Sequence, residues 1–182
     1  MIEVFPTALD GVIRIRPKVF SDTRGQFMET FNEAAFTKAT GVNALFVQDN
    51  QSISQAGVLR GLHMQTGPHA QAKLVRVISG AVLDVCVDLR KNSATFGKHV
   101  SLRLDAMDHD MLYIPEGMAH GFLALEDNTI FAYKCSAYYA PQAECTLLWN
   151  DPEMNIHWGI KDPLVSGKDL AGTSFAERAW EK

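Results

Sequence analysis

Cysteine is scarce: the 182 residues include three, Cys86, Cys135 and Cys145. An odd number, two of them inside strand-like runs, excludes a disulfide framework and a zinc site as the organising device and reads as the reduced thiols of a cytoplasmic protein. Long apolar runs are missing too. None approaches the roughly 18 residues of a membrane helix, and residues 1–10 have neither the basic leader nor the apolar stretch of a signal peptide. Neither sign of charge dominates. The 17 basic and 21 acidic side chains leave a net charge of −4, which argues against general affinity for nucleic acid or membrane surfaces and requires any anionic ligand to be held by a local basic pocket. Linker-like stretches and internal repeats are absent. The chain therefore reads as one domain, 1–182, long enough to bury roughly 70% of the surface its unfolded form exposes.

What is present is alternation. Leu83, Val85, Val87 and Leu89 fall on one face and Asp84 and Asp88 on the other, the pattern of a half-buried strand. The run 73–78 precedes it across Ser79-Gly80, which predicts a tight hairpin. A first strand over 11–16 stops at Pro17. After a turn at Asp22, Thr23 and Gly25, the residues Phe27, Glu29 and Phe31 are expected on one face of the next strand. Val100, Leu102 and Leu104 alternate with polar residues ahead of Asp108-His109-Asp110, read as a solvated turn. Phe131, Tyr133 and Cys135 share a face after an Asp127-Asn128 turn. Helix is expected only at the periphery: from Asn32 as N-cap to Gly41 as C′ residue, and from the capping-box spacing of Ser174 and Glu177. Many short strands with turn signals at close intervals predict an all-β sandwich or barrel of the jelly-roll kind, with short peripheral helices.

Between Phe46 and Arg90 a polar cluster (Gln48, Asn50, Ser52, Arg60, His63, Gln65, His69, Lys73) interrupts sequence that otherwise reads as sheet. Each buried polar group without a partner costs roughly 1–3 kcal/mol, so the cluster is a candidate site. Lys73 shares a face with Val75 and Val77; if that face is the inner one, the lysine is catalytic or ligand-binding. Arg60 and His63, three apart, would face opposite sides of a regular strand. Gly61 between them predicts a bulge that lets both converge.

Six stretches now carry a resemblance over nearly the whole chain: 46–50 (FVQDN), 58–63 (VLRGLH), 73–76 (KLVR), 84–90 (DVCVDLR), 114–122 (IPEGMAHGF) and 148–151 (LWND). In order and spacing they resemble dTDP-4-dehydrorhamnose 3,5-epimerases. The resemblance implies a cupin jelly-roll homodimer that uses no metal or other cofactor and inverts C3 and C5 of a 4-keto sugar nucleotide in dTDP-L-rhamnose biosynthesis. It implies His63 as base, held by Asp169, with Lys73 stabilising the enolate and Tyr133 donating a proton on the far face. It implies His120 in the pocket wall, Tyr139 stacking on the thymine, and Arg24, Glu29, Gln48, Asp49, Asn50, Arg60, Glu144 and Lys168 as binding residues. Arg24 and Glu29 are expected to serve the neighbouring subunit, flanked by Phe20, Phe27 and Phe31 at the dimer contact. The corresponding division is 1–45 for N-terminal strands and helix, 46–150 for the core barrel and 151–182 for a C-terminal extension. The chain departs from the family at Gln51, Met64 and Ala72, where histidine, an aromatic residue and glycine are usual. These departures leave open which sugar nucleotide is preferred and whether both carbons are inverted.

The chemistry agrees with the resemblance. A proton α to a ketone leaves when a base lies over the C–H bond and a donor or cation stabilises the enolate oxygen. An arginine fork suits a diphosphate. The competing readings are an epimerase acting at a single carbon or a ketoisomerase, a metal-dependent cupin built on His63, His69 and His120, and a non-enzymatic sugar-binding jelly roll. Taken singly, each residue has a plain reading: His63 and His120 as hydrogen-bonded structural histidines, Tyr133 as core, Asp169 as half of a solvated loop pair.

Overall fold

A computed structural model describes residues 2–43, 45–177 and 180. The chain runs β1 (Glu3–Pro6), β2 (Ile13–Arg16), β3 (Val19–Asp22), β4 (Gly25–Met28), α1 (Glu33–Thr40), β5 (Gln48–Ser54), β6 (Val58–Gln65), β7 (Lys73–Ser79), β8 (Ala81–Asp88), β9 (His99–Asp105), β10 (Met111–Ile114), β11 (Met118–Ala124), β12 (Thr129–Cys135), β13 (Glu144–Thr146), β14 (Leu164–Val165) and α2 (Gly167–Leu170). The first sheet has the order β1-β2-β10-β7-β12-β5. The second has β13-β6-β11-β8-β9, with β14 added in parallel to β6. Successive strands change sheet repeatedly, and the two sheets close over a shared interior as a cupin jelly roll.

That interior is apolar where the sheets meet: Val75, Val77, Val82, Leu104, Leu112, Phe122 and Phe131 form one buried cluster. Phe122 and Phe131, from opposite sheets, stack at 4.2 Å between centroids. A second cluster lies on the outer face of the second sheet, where Met154, Trp158, Phe175 and Trp180 of the C-terminal segment cover Leu62, Val85 and Val87.

Several local expectations change once pairing is known. Ser79-Gly80 makes no hairpin: β7 and β8 belong to different sheets, and Gly80 (φ 78°) is the corner between them, packed so closely that a Cβ would meet Thr129 Oγ1 at 2.4 Å. Strand β8 is buried on both faces, because the C-terminal segment covers the odd residues and the barrel the even ones. Asp84 and Asp88 are therefore fully buried rather than wet. Asp88 accepts hydrogen bonds from Arg90, Ser93 and Thr95, and Asp110, expected in a solvated turn, is buried against Arg14 and Arg16. Strand β4 ends at Met28, so Phe27, Glu29 and Phe31 do not share one strand: Phe27 is exposed with Phe20 on the β3–β4 hairpin, while Phe31 packs on Phe36 and Phe46. Of the helix expected after Ser174, the described residues show a 3-10 turn at Phe175–Glu177, and residues 178, 179, 181 and 182 lie outside the described residues. Helix α1 has the expected ends, with Asn32 Oδ1 accepting from the Ala35 amide and Gly41 left-handed at φ 73°.

Candidate active site

Cross-strand register decides which side chains face the interior. On the first sheet Gln48, Cys135 and Lys73 form one row and Asn50, Tyr133 and Val75 the next. Rows share a face, and Val75 places this one inside the barrel. On the second sheet His63, His120 and Cys86 lie in one row. Between the two faces lies a cavity of about 420 Å3, its walls formed by Arg60, His63 and His120 from one sheet and Lys73, Phe131 and Tyr133 from the other. Gln48 and Asn50 line a smaller recess that opens beside His63, Lys73 and Tyr133.

Arg60 and His63 converge because the pairing of β6 with β11 slips by one residue between them. The expected bulge is there. Gly61 sits at φ 125°, with Gly121 opposite so close that a Cβ on Gly61 would meet the Gly121 Cα at 2.5 Å. The bulge also frees the Gly61 amide, which donates to Asp169 Oδ2 at 3.2 Å, while Asp169 Oδ1 lies 2.6 Å from His63 Nε2. Asp169 is buried in the one-turn helix α2, whose N-cap Ser166 accepts from the Asp169 amide. Burial alone would raise the Asp169 pKa, but the hydrogen bonds from His63, Gly61 and Ser166 outweigh it and hold the carboxyl below its usual value. An ionised carboxylate only accepts, so Nε2 carries a proton and the lone pair of neutral His63 sits on Nδ1. That nitrogen has no hydrogen-bond partner among the described residues, and it is the atom fit to act as base.

Lys73 crosses the interior from the first sheet, its Nζ donating to the His63 carbonyl at 3.3 Å. Burial lowers its pKa against the opposing pull of Cys135, Cys86 and Asp84, so it gives up a proton more readily than a surface lysine. Burial raises the Tyr133 pKa, which keeps the phenol protonated, while nearby Arg60 favours the phenolate once the proton has gone. His120 forms a second histidine–carboxylate pair, Nε2 to Asp84 Oδ2 at 2.8 Å, and burial lowers its pKa despite that partner. Nothing in the sequence marked Asp84 as the mate of His120, because strand alternation placed it on a wet face.

At the mouth, Glu144 Oε2 accepts from the Tyr139 hydroxyl at 2.7 Å and pairs with Lys168 Nζ at 2.5 Å. Three sequence-derived candidates lie elsewhere in this chain. Asp49 is on the outer face of the first sheet, out of register parity with Gln48 and Asn50, and pairs with Lys134 at 2.9 Å. Arg24 is on the exposed β3–β4 hairpin with Asp22, and Glu29 accepts from Asn32. The three histidines of the metal reading do not gather: His63 and His120 each hold a carboxylate, and His69 is not in the cavity wall. A cluster of Asp84, Cys86 and His120 has its ligand-type atoms within 4.8 Å of one another.

Titratable side chains facing one another across a cupin barrel, around a buried lysine, are the groups that an isomerase working by proton transfer needs. Residues 6–177 match the family model described as dTDP-4-dehydrorhamnose 3,5-epimerase. The Shigella flexneri dTDP-4-dehydrorhamnose 3,5-epimerase is 48% identical over 176 residues, 97% of either chain. The crystal structure of the Elizabethkingia anophelis NUHP1 enzyme of the same name superposes with a TM-score of 0.93 at 44% identity, covering 97% of each chain. That of the Legionella pneumophila Philadelphia 1 dTDP-6-deoxy-D-glucose-3,5-epimerase, in complex with dTDP-4-keto-L-rhamnose, gives 0.92 at 40% identity, covering 97% of this chain and 94% of that one. The chain belongs to the dTDP-4-dehydrorhamnose 3,5-epimerase family.

Proposed function

We propose that the protein epimerises dTDP-4-keto-6-deoxy-D-glucose at C3 and C5 to dTDP-4-keto-L-rhamnose, a step of dTDP-L-rhamnose biosynthesis. The observation that carries the reading is the placement of His63 and Tyr133 on opposing sheets of one cavity. Both carbons flank the same C4 carbonyl, so one stabiliser of the enolate oxygen serves both. His63 Nδ1 takes the α-proton, Asp169 supports the resulting imidazolium, and the Lys73 ammonium meets the developing oxyanion. Tyr133 then delivers its proton to the carbon from the opposite side, and the centre is inverted. The Ser52 hydroxyl, in the cavity wall and without a hydrogen-bond partner among the described residues, is suited to a sugar oxygen. Arg60 and Lys168 supply the positive charge that a diphosphate needs, and Tyr139, more than half exposed at the mouth, offers a ring to the thymine.

The active unit in this reading is a homodimer. Phe20 and Phe27 leave 52% and 67% of their surface exposed on a two-stranded arm that projects Arg24. Such a patch suits burial against a second copy, to which the arm would deliver Arg24, with the exposed Glu29 following directly after its second strand. Three free thiols suit the cytoplasm, and no described helix is long and apolar enough to cross a membrane. NMR of dTDP-4-keto-6-deoxy-D-glucose incubated with the protein in D2O tests the reaction. Deuterium at C3 and C5 with inversion at both is expected. Deuterium at one carbon would make the enzyme a single-centre epimerase, and at neither would remove the reading.

A further inference from the structure

Tyr139 sits on a strap, residues 136–143, that crosses the barrel mouth between β12 and β13 with one 3-10 turn as its only regular structure. A segment of this kind keeps a fixed course only if its peptide groups find partners, and here glutamine side chains supply them. Gln71 Nε2 donates to the Ala137 carbonyl at 2.7 Å, and Gln48 Oε1 accepts from the Tyr139 amide at 3.0 Å. Gln65 does more. Its Nε2 donates to the Tyr138 carbonyl at 3.2 Å and to the His69 carbonyl at 2.7 Å, and its Oε1 accepts from the Ala140 amide at 2.7 Å. It thus grips the backbone immediately before and immediately after Tyr139. The residue is 4% exposed, and its amide is spent wholly on backbone, one donor on His69 and the other donor and the carbonyl on the strap. It stands two residues beyond His63 on β6, which ties the strap to the strand that bears the base.

We propose that Gln65 is a positioning residue for nucleotide binding, holding the strap so that Tyr139 presents its ring to the base of the nucleotide. This rests on the epimerase reading above. The deletion should act at the nucleoside end, because Tyr139 is the one residue of the strap in the wall of the cavity that holds His63 and Tyr133. In Gln65→Met, a side chain of similar volume leaves two carbonyls and one amide unpaired. Calorimetry should then show dTDP binding weakened about tenfold, with inorganic pyrophosphate binding and kcat at saturating substrate both within about twofold of the parent, the split expected when only ground-state binding is lost. Gln65→Glu supplies a readout that simple loss of packing does not move. Its carboxylate repels the two carbonyls at neutral pH, whereas the protonated acid can donate to one of them, so dTDP affinity should recover as pH falls through the carboxyl range.

Unchanged dTDP affinity in Gln65→Met, or an equal loss for dTDP and pyrophosphate, would overturn the proposal. Failure of the unsubstituted protein to bind dTDP would instead remove the epimerase reading. Hydrogen exchange of the Ala140 amide then still decides the role of Gln65: faster exchange in Gln65→Met supports it, and exchange at the parent rate refutes it.

Discussion

Replacing Gly61 with alanine tests whether the bulge in β6 builds the site. The added methyl would lie 2.5 Å from the Gly121 Cα and 2.8 Å from the His120 carbonyl, and the backbone would remain at φ 125°. Holding a non-glycine residue in that region costs about 1–3 kcal/mol, and overpacking against backbone adds about 1–3 kcal/mol. At roughly 2–4 °C per kcal/mol for a chain of this size, the melting temperature should fall by about 5–20 °C. Activity should fall further than stability explains, because relief of the clash must push β6 from β11 and so shift His63 and the Gly61 amide that holds Asp169. A displacement of about 1 Å at such a site can cost 10²-fold in kcat. Scanning calorimetry and steady-state rates below the transition read the two effects. Gly167→Ala is the control: it lies in α2 beside the same aspartate, and a methyl there meets nothing within 4 Å. If Gly61→Ala melts and turns over like Gly167→Ala, the bulge is not what aligns the site.

Asp169→Asn removes the charge that keeps the proton on His63 Nε2 and supports the imidazolium; kcat should drop by about 10²-fold or more with little change in KM, and a kcat within a few-fold of the parent would detach Asp169 from the base. Asp88 is held at about 2, its hydrogen bonds from Arg90, Ser93 and Thr95 outweighing the opposing effect of burial. A depressed carboxyl stabilises the fold above its unfolded pKa, near 3.9, and loses that contribution as pH falls towards 2, so urea unfolding should show about 2 kcal/mol disappearing across that window. Asp88→Asn should flatten this part of the profile, and an unaltered profile would assign the acid sensitivity elsewhere. Mixed dimers of Arg24→Ala and His63→Ala chains should regain activity that neither parent variant has; no recovery after verified subunit exchange would count against a shared site.

Much of this architecture is legible from local chemistry. The caps of α1 are set by Asn32 and Gly41 alone, the bulge follows from one glycine between two side chains that need to converge, and period two correctly groups Lys73 with Val75 and Tyr133 with Phe131, on faces that the sheet pairing then turns inward. Period two also separates Asp49 from Gln48 and Asn50, and its side chain meets Lys134 on the outer face. What alternation cannot reveal is the partner of a strand. Ser79-Gly80 looks the same in a hairpin as at a corner between sheets, and Asp84, Asp88 and Asp110 look solvent-facing until His120, the Arg90 loop and the β2 arginines are brought against them. Helix α2 is too short to show a period, so the burial of Asp169 beside exposed Lys168 depends on packing against β6.

Opposite-face proton transfer by His63 and Tyr133 is tested by one sample of Tyr133→Phe in D2O. The variant keeps the His63–Asp169 pair and Lys73 but lacks the far-face proton, so an enolate can be reprotonated only from the side it left. Deuterium should therefore continue to enter recovered substrate at C3 and C5 while inverted product falls steeply, by about 10²-fold or more. Equal loss of exchange and inversion, in a protein shown to be folded and dimeric, would contradict the assignment.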